Sequence, residues 1–478
     1  MTFPKRTQNE IQEAPAGPKV GAFFDVDRTL LAGFSATAFF RERLLSGRMG
    51  PGEALETVRG TLGYALGRTG FSGMVSAATA AYRGLSEESL EELGQEVFDK
   101  HLATQIYPES RALVRAHQDR GHTVAIVSSA TRYQVEPVAR ELGVEHVLCT
   151  RLEVEDGVFT GGVVKPTCFG VGKLRAAENL ADDHDIDLDE SFFYTDSIDD
   201  LALLENVGRP TALNPDARLA QIAKERRWPV RRFHSRGTPD PEQVLRTGLA
   251  YASLVPSVGL GAAVGLLNRS RREAVNVMGS LWGDLALAVS GVDLRVEGEE
   301  HLWSHRPAVF IFNHQSSLDL PLMLKLCRRD VTGIGKKEIQ YDPVFGPLGW
   351  AAGAVFVDRA DTARAIEALE PAVEALRHGR SLLIAPEGTR QKTPRLGRFK
   401  KGAFHLAMQA GVPIVPVVFR NALDALPKDA LVVRQATVHA VVLPPVDTSG
   451  WTKESLDDEI EALRQSYVEV LEGREENP

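Results

Sequence analysis

The sequence predicts an α/β protein: two α/β domains with an apolar helical segment between them. Three observations carry this. Apolar strand-like runs alternate with helical patterns in both halves of the chain, as parallel sheets covered by helices require. A stretch at 224–243 (KERRWPVRRFHSRGTPDPEQ) breaks the alternation with a basic run followed by Gly, Pro and Asp. Residues 247–267 contain no charged side chain. The length of 478 residues agrees, because it is several times a domain of roughly 150 residues.

Composition narrows the class. Hydrophobic residues are 43% and charged residues 25%, which is ordinary for a globular chain and excludes a largely disordered one. Lys and Arg total 55 against 64 Asp and Glu, and the net charge of -9 argues against nucleic acid as a partner. The three cysteines, Cys149, Cys168 and Cys327, form no CxxC pair, so they fit a reducing compartment and give no zinc signature.

Taken in order, residues 1–18 are polar and lack the apolar core of a signal peptide; they read as a disordered tail. Residues 19–225 form the first domain, with strands at 20–24, 123–127 and 192–194 and a helical insert at about 31–107. Residues 226–243 read as a linker and 244–290 as an apolar helical membrane-association segment. The second domain, 291–478, has strands at 308–312, 354–357, 381–385 and 414–419 and a C-terminal helix at 453–471.

The uncharged run is long enough to cross a bilayer, but Gly, Ala and Pro256 interrupt its hydrophobicity. Arg231, Arg232 and Arg236 precede it, and Arg269, Arg271 and Arg272 follow, which suits an anionic membrane surface. Surface association or shallow insertion, a buried hairpin and a full span are three readings of this pattern. The first places the chain at the cytoplasmic face of the cell membrane.

FFDVDRTL sets Asp25 and Asp27 at the end of an apolar strand, where ligands bind in open α/β sheets. One carboxylate can attack phosphorus while the other hands a proton to the leaving oxygen. Asp and Thr are also common turn and cap residues, so the motif alone decides little. TVAIVSSAT supplies the hydroxyl of Ser128, GVGKLRAAENL the cation of Lys173, and FFYTDSIDDL the acids Asp196, Asp199 and Asp200. Hard carboxylate oxygens of this kind suit Mg²⁺.

These four segments in this order resemble the haloacid dehalogenase superfamily over about residues 18–225, and the insert resembles the C1 cap of its phosphoserine phosphatase-like branch (subfamily IB). The resemblance implies a Rossmann-like domain with Asp25 as nucleophile and Asp27 as general acid/base. It also implies phosphate held by Ser128 and Lys173, and Mg²⁺ at Asp25, Asp27 and Asp196. Arg28 stands where Gly is common, and Ser197-Ile198-Asp199 replaces the usual Gly-Ala-Asn.

FIFNHQSSLDL places His314 after a strand and Asp319 five residues later, a pair in which a carboxylate can orient an imidazole as a base. GAVFVDR brings Arg359, LLIAPEGTR brings Glu387, Gly388, Thr389 and Arg390, and FKKGAF brings Lys400 and Lys401. Arginine forks suit phosphate oxygens, and glycine lets backbone approach a ligand. Together with VPIVPVVF, these motifs resemble the glycerolipid acyltransferases of the lysophosphatidic acid (PlsC) type over about residues 285–445, with GKKEI as a further lysine-containing segment.

That resemblance implies acyl transfer from acyl-CoA, or acyl carrier protein, to the sn-2 hydroxyl of 1-acylglycerol-3-phosphate (lysophosphatidic acid). His314 would be the base and Asp319 its orienting partner. Arg359, Glu387, Gly388, Thr389, Arg390 and Lys400 would frame the acceptor. The whole chain resembles fused actinobacterial bifunctional proteins, and admits a homodimer. Two expectations follow: a second, Mg²⁺-dependent phosphomonoesterase site, or a first domain that is only a scaffold or regulator.

Overall fold

Short apolar runs rich in Val, Ile and Phe become strands, and the capped amphipathic runs between them become the covering helices. The computed structural model describes residues 5–50, 52, 55, 58–59, 79–80, 82–357 and 370–473. It divides into two units, Met1–Thr238 and Pro239–Pro478.

The first unit holds β1 (Val20–Phe24), β2 (Thr123–Thr131), β3 (His146–Thr150), a hairpin of β4 (Leu152–Glu155) and β5 (Val158–Val163), then β6 (Asp187–Thr195), β7 (Arg209–Leu213) and β8 (Val230–Arg231). Its six-stranded sheet has the order β3-β2-β1-β6-β7-β8, all pairs parallel. The order reverses beside β1, so β1 and its neighbours open a crevice at their C-terminal ends. Register makes this specific: Phe24 pairs with Ile126 and with Tyr194. Asp25, Ser128 and Asp196, each one or two residues past that level, therefore emerge at one edge.

Two expectations are corrected here. Residues 1–18 are not wholly a disordered tail: Lys5–Glu13 is a helix, and Ile11 and Ala14 are buried in the same core as Phe24 and Tyr194. Their i, i+3 spacing is a short apolar stripe. The carbonyls that follow are held too, Ala14 by Arg120 and Pro15 by His122. The expected linker 226–243 also begins too early. Val230 and Arg231 form β8, and the Arg236 guanidinium donates to the Thr104 carbonyl. Of the expected cap, the helices Ser35–Leu45 and Glu87–Val97 are present. Most of 51–81 lies outside the described residues.

The second unit begins with three helices. Asp240 caps Pro241–Ala252 by accepting from the Gln243 amide at 2.8 Å, Leu254–Leu267 follows, and Ser270 caps Arg271–Ser290. The last two pack closely because Gly261 and Gly265 face Ala274, where an added Cβ would come within 2.6 Å of its carbonyl oxygen and 2.5 Å of its Cβ. The uncharged run is thus half of a helical hairpin, yet Val255, Leu260, Leu266 and Leu267 remain exposed. Residues 241–267 are long and apolar enough to cross a membrane by length and composition.

Then come β9 (Val292–Glu297), β10 (Val309–Phe312), β11 (Val331–Lys336), β12 (Val355–Val357), β13 (Ser381–Ile384), β14 (Ile414–Phe419) and β15 (Ala436–Val442). The sheet order is β12-β11-β13-β10-β14-β15-β9, with only β14–β15 antiparallel. The central strand β10 is fully buried, as its unbroken VFIF predicts. The C-terminal helix Leu456–Glu472 covers one face, and its Tyr467 hydroxyl donates to the Ile311 carbonyl at 2.8 Å.

Candidate active sites

In the first unit Asp25 follows β1, and its amide donates to the Tyr194 carbonyl at 3.0 Å. Its carboxylate accepts from Lys173 Nζ at 2.7 Å, and the same ammonium donates to Asp200 Oδ2 at 2.8 Å. Asp200 also accepts from the Thr195 hydroxyl at 2.6 Å. Burial pushes the Asp25 carboxyl up to about 7, with Lys173 opposing and Asp200 and Asp27 assisting. For Lys173 burial acts against the charge, but the two carboxylates outweigh it and raise its pKa. A buried carboxylate held against a fixed ammonium keeps its charge through that partner.

Asp27 turns towards the cap. Its carboxylate accepts from the Ser35 amide at 2.8 Å and the Ser35 hydroxyl at 3.2 Å. Burial raises its pKa against those hydrogen bonds, the direction a proton donor needs. Ser128 lies at the end of β2, nearly enclosed, with its hydroxyl accepting from the Ala130 amide. Asp196 follows β6; burial first, then repulsion from Asp25, pushes it up to about 8, against the pull of Arg28. Arg28 pairs with Asp196 Oδ2 at 3.1 Å.

Does this pocket fit Mg²⁺? Asp25 and Asp196 are hard oxygen donors, buried together, that repel one another; a divalent cation removes that cost. Among the described residues no three acidic, histidine or cysteine side chains form a ready ligand set.

In the second unit the strand end of β10 is clamped by Asn313. Its side-chain amide donates to the Phe419 carbonyl at 2.8 Å and accepts from the Phe419 amide at 2.7 Å. His314 Nδ1 lies 2.7 Å from Asp319 Oδ2. That oxygen also accepts the amides of Gln315 (2.9 Å) and Ser316 (3.0 Å), while Oδ1 is buried without a partner among the described residues. Burial raises the Asp319 pKa, and its bonds to His314 and the two amides oppose the rise. With the carboxylate accepting from Nδ1–H, the lone pair sits on Nε2, the atom a general base uses.

His314 stands on the wall of a cavity of about 940 Å³. Leu254, Met278, Trp282, Phe345 and Leu348 make part of its wall apolar, and Lys336, Arg390 and Lys428 make another part cationic. A mostly apolar cleft with a few convergent polar groups is the ordinary form of a ligand site. Gly388 and Thr389 line it as well. Gly388 has φ 74°, a left-handed backbone that favours glycine, and the Lys400 side chain packs over it.

The other expected residues divide. Arg390 reaches the Ser317 hydroxyl beside the His314 loop. Glu387 is a correction: it does not line the cavity. One carboxylate oxygen accepts the His314 amide at 2.7 Å and the other the Gly397 amide at 2.8 Å. Both oxygens are taken up by backbone, and one of them fixes the amide of His314. Lys400 likewise packs over Gly388 instead of lining the cavity, and Lys401 is drawn away by Asp457 at 2.7 Å. Arg359 lies outside the described residues.

Lys428 was not singled out from sequence. Burial, with Lys392, Arg390 and Lys336 nearby, lowers its pKa, while Asp429 opposes. Its Nζ donates to the Arg390 carbonyl at 2.9 Å. Sequence offered one signal only, a lysine in a short loop after β14.

The comparisons agree with this division. Residues 22–205 match the family model of haloacid dehalogenase-like hydrolases, and residues 293–420 match that of the acyltransferases. The 1-acyl-sn-glycerol-3-phosphate acyltransferase of Limnanthes douglasii is 34% identical over 197 residues, 41% of this chain and 69% of that protein. Phosphoserine phosphatase SerB1 of Mycobacterium tuberculosis (strain ATCC 25618 / H37Rv) is 33% identical over 287 residues, 57% of this chain and 88% of that protein. Among solved structures, the 1-acyl-sn-glycerophosphate acyltransferase PlsC of Thermotoga maritima is 27% identical. It covers 49% of this chain and 98% of its own, with TM-score 0.43.

Proposed function

Because the chain belongs to the haloacid dehalogenase-like hydrolases through its first unit and to the acyltransferases through its second, we propose that it is a two-site enzyme of phospholipid synthesis. Its second site transfers an acyl group from acyl-CoA, or acyl carrier protein, to the sn-2 hydroxyl of 1-acylglycerol-3-phosphate. Its first site hydrolyses a small phosphomonoester with Mg²⁺.

The observation that carries the acyl-transfer reading is the His314–Asp319 pair on a cavity wall shared by apolar helix side chains and by Arg390 and Lys428. His314 Nε2 takes the proton of the acceptor hydroxyl, whose oxygen bonds to the thioester carbonyl carbon. The C–S bond breaks and the thiol leaves with a proton. Asp319 keeps the imidazole in the tautomer that can accept, and Glu387 fixes the backbone beneath it. Arg390 and Lys428 take the acceptor's phosphate.

In the first site Asp25 attacks phosphorus and Asp27 gives its proton to the leaving oxygen, then takes one from the water that cleaves the aspartyl-phosphate. Lys173 and Ser128 hold phosphate oxygens. Asp25 and Asp196, with the Asp27 carbonyl, would hold Mg²⁺, which would neutralise phosphate charge. A helical cap favours small substrates, and phosphoserine is the first candidate because a relative carries that name.

The exposed apolar face of 254–267 supports our reading that the second unit works at a membrane surface, where acyl chains and product reside. Trp350 supports this: it is exposed, and Arg271 stacks on its ring at 4.7 Å and donates to the Ala351 carbonyl. We place the surface at the cytoplasmic leaflet, with the chain peripheral or shallowly inserted.

Two assays on one preparation test the reading. His314→Ala should abolish acyl transfer and leave phosphate release intact; Asp25→Asn should do the reverse. Phosphoserine, lysophosphatidate, phosphatidate and an aryl phosphate serve as phosphatase substrates. Loss of both activities in either variant would overturn the two-site reading. Acyl transfer without release from any phosphate ester would leave the first unit as a scaffold or regulator.

A further inference from the structure

Arg28 is one of the few non-glycine residues with a left-handed backbone, at φ 60°. That conformation is uncommon outside glycine and is kept only where the surroundings enforce it. Here the Arg28 amide donates to the Gly33 carbonyl at 3.2 Å, and the Asn214 side chain donates to the Arg28 carbonyl at 3.0 Å. The turn aims the guanidinium back at the pocket it has just left. It meets Asp196 Oδ2 at 3.1 Å and lies 6.0 Å from the centre of the Phe34 ring.

The two cations of this pocket differ. Lys173 is 4% exposed and bonded to both Asp25 and Asp200, so it is a fixed part of the site. The Arg28 side chain is 39% exposed and reaches Asp196 from the mouth, whereas the Asp196 side chain is 8% exposed. The guanidinium can swing into water; the carboxylate cannot follow it. A divalent ion on Asp196 and a guanidinium within contact distance of the same group would repel strongly in so poorly solvated a place.

We propose that Arg28 is a built-in counter-cation for Asp196, which a divalent metal ion must displace in order to bind. This rests on the reading of the pocket as a divalent-cation site. Two arrangements alternate. Without metal, Arg28 covers Asp196 and offsets its charge. With metal, Arg28 points outward at the mouth. The chain therefore binds its cation more weakly than a pocket with glycine at this position, and the first unit stays ordered without it.

Calorimetric titration of Mg²⁺ into the full chain tests this without reference to turnover. Arg28→Gly and Arg28→Asn, both compatible with a left-handed backbone, should bind Mg²⁺ about twofold to fivefold more tightly than the wild type, the range expected for loss of a partly exposed ion pair. Arg28→Lys, which keeps a charge, should stay closer to the wild type than either. Melting curves without Mg²⁺ check that each variant is folded, and the pair of neutral variants guards against one failing to fold. Equal or weaker binding by the neutral variants would overturn the proposal and leave the metal site standing. No Mg²⁺ binding by the wild type or any variant would overturn both.

Discussion

Asp319 gives one carboxylate oxygen to three donors at once: His314 Nδ1 at 2.7 Å and the amides of Gln315 and Ser316. The same turn that places the histidine thus also fixes its partner, and the two backbone amides hold the carboxylate where the ring meets it. Asp319→Asn should keep the fold but lose the preference for the Nδ1–H tautomer. Acyl transfer should fall by about a thousandfold or more in kcat, by analogy with other His–Asp pairs. Substrate saturation curves check this; a change confined to KM would refute the assignment.

Glu387 acts at one remove. Both its oxygens hold backbone amides, one of them the amide of His314 itself. Glu387→Gln replaces an acceptor with an NH₂ group that faces an N–H. A lost hydrogen bond to a charged group is worth about 1.5–3 kcal/mol, so the second unit should melt at lower temperature. Since its carboxylate is bound to backbone and the cavity lining does not include it, kcat should drop while KM for the phosphorylated acceptor holds. A rise in KM alone would return Glu387 to the acceptor site.

These two residues mark what the sequence made legible. His314 and Asp319 lie five apart in one loop after an apolar strand, so local pattern exposes them. Glu387 meets His314 across 73 positions, and only strand pairing of β10 with β13 brings them together. Lys428 joins Arg390 and Lys336 for the same reason, since Lys336 ends one strand and the other two follow different strands. In the first unit the DxD motif and the Lys173 segment were readable because each follows or caps a regular element. The helix Lys5–Glu13 was not, because a stripe as short as Ile11 and Ala14 gives almost no periodic signal.

Lys428 should contribute to acceptor binding. It lines the His314 cavity beside other cations, which an anion would relieve. Lys428→Met should raise KM for 1-acylglycerol-3-phosphate by about tenfold, in the range of one charge-assisted hydrogen bond, with kcat within about threefold. An unphosphorylated monoacylglycerol should show no such difference between variant and wild type.

His117 is fully buried, with Nε2 at 2.9 Å from the Tyr194 hydroxyl and Nδ1 at 2.8 Å from His122 Nδ1. Burial, then the neighbouring His122, holds its pKa well below the usual 6.5. The unfolded chain therefore takes up a proton below about pH 6.5 that the folded chain refuses. Stability is retained above that pH and lost as pH falls, by up to about 1.4 kcal/mol per pH unit for each such group. Denaturant unfolding followed at pH 7 and at pH 5.5 should show lower stability at the lower pH. His117→Gln should flatten that dependence, and an unchanged slope would show that His117 is not the group responsible.

The membrane reading depends on a face, not on a span. Leu266 and Leu267 are 80% and 83% exposed at the tip of the helical hairpin, next to basic Arg269, Arg271 and Arg272. Neither leucine contributes to the buried core, so Leu266→Asp with Leu267→Asp should leave the fold intact. Fully burying a leucine contributes about 1.5–3 kcal/mol, and partial immersion of two should account for at least a tenfold change in vesicle partitioning. Flotation with vesicles containing anionic lipid measures it. Retained binding by the double variant would mean that another surface meets the bilayer. Binding that survives alkaline carbonate extraction would mean that residues 241–267 cross it.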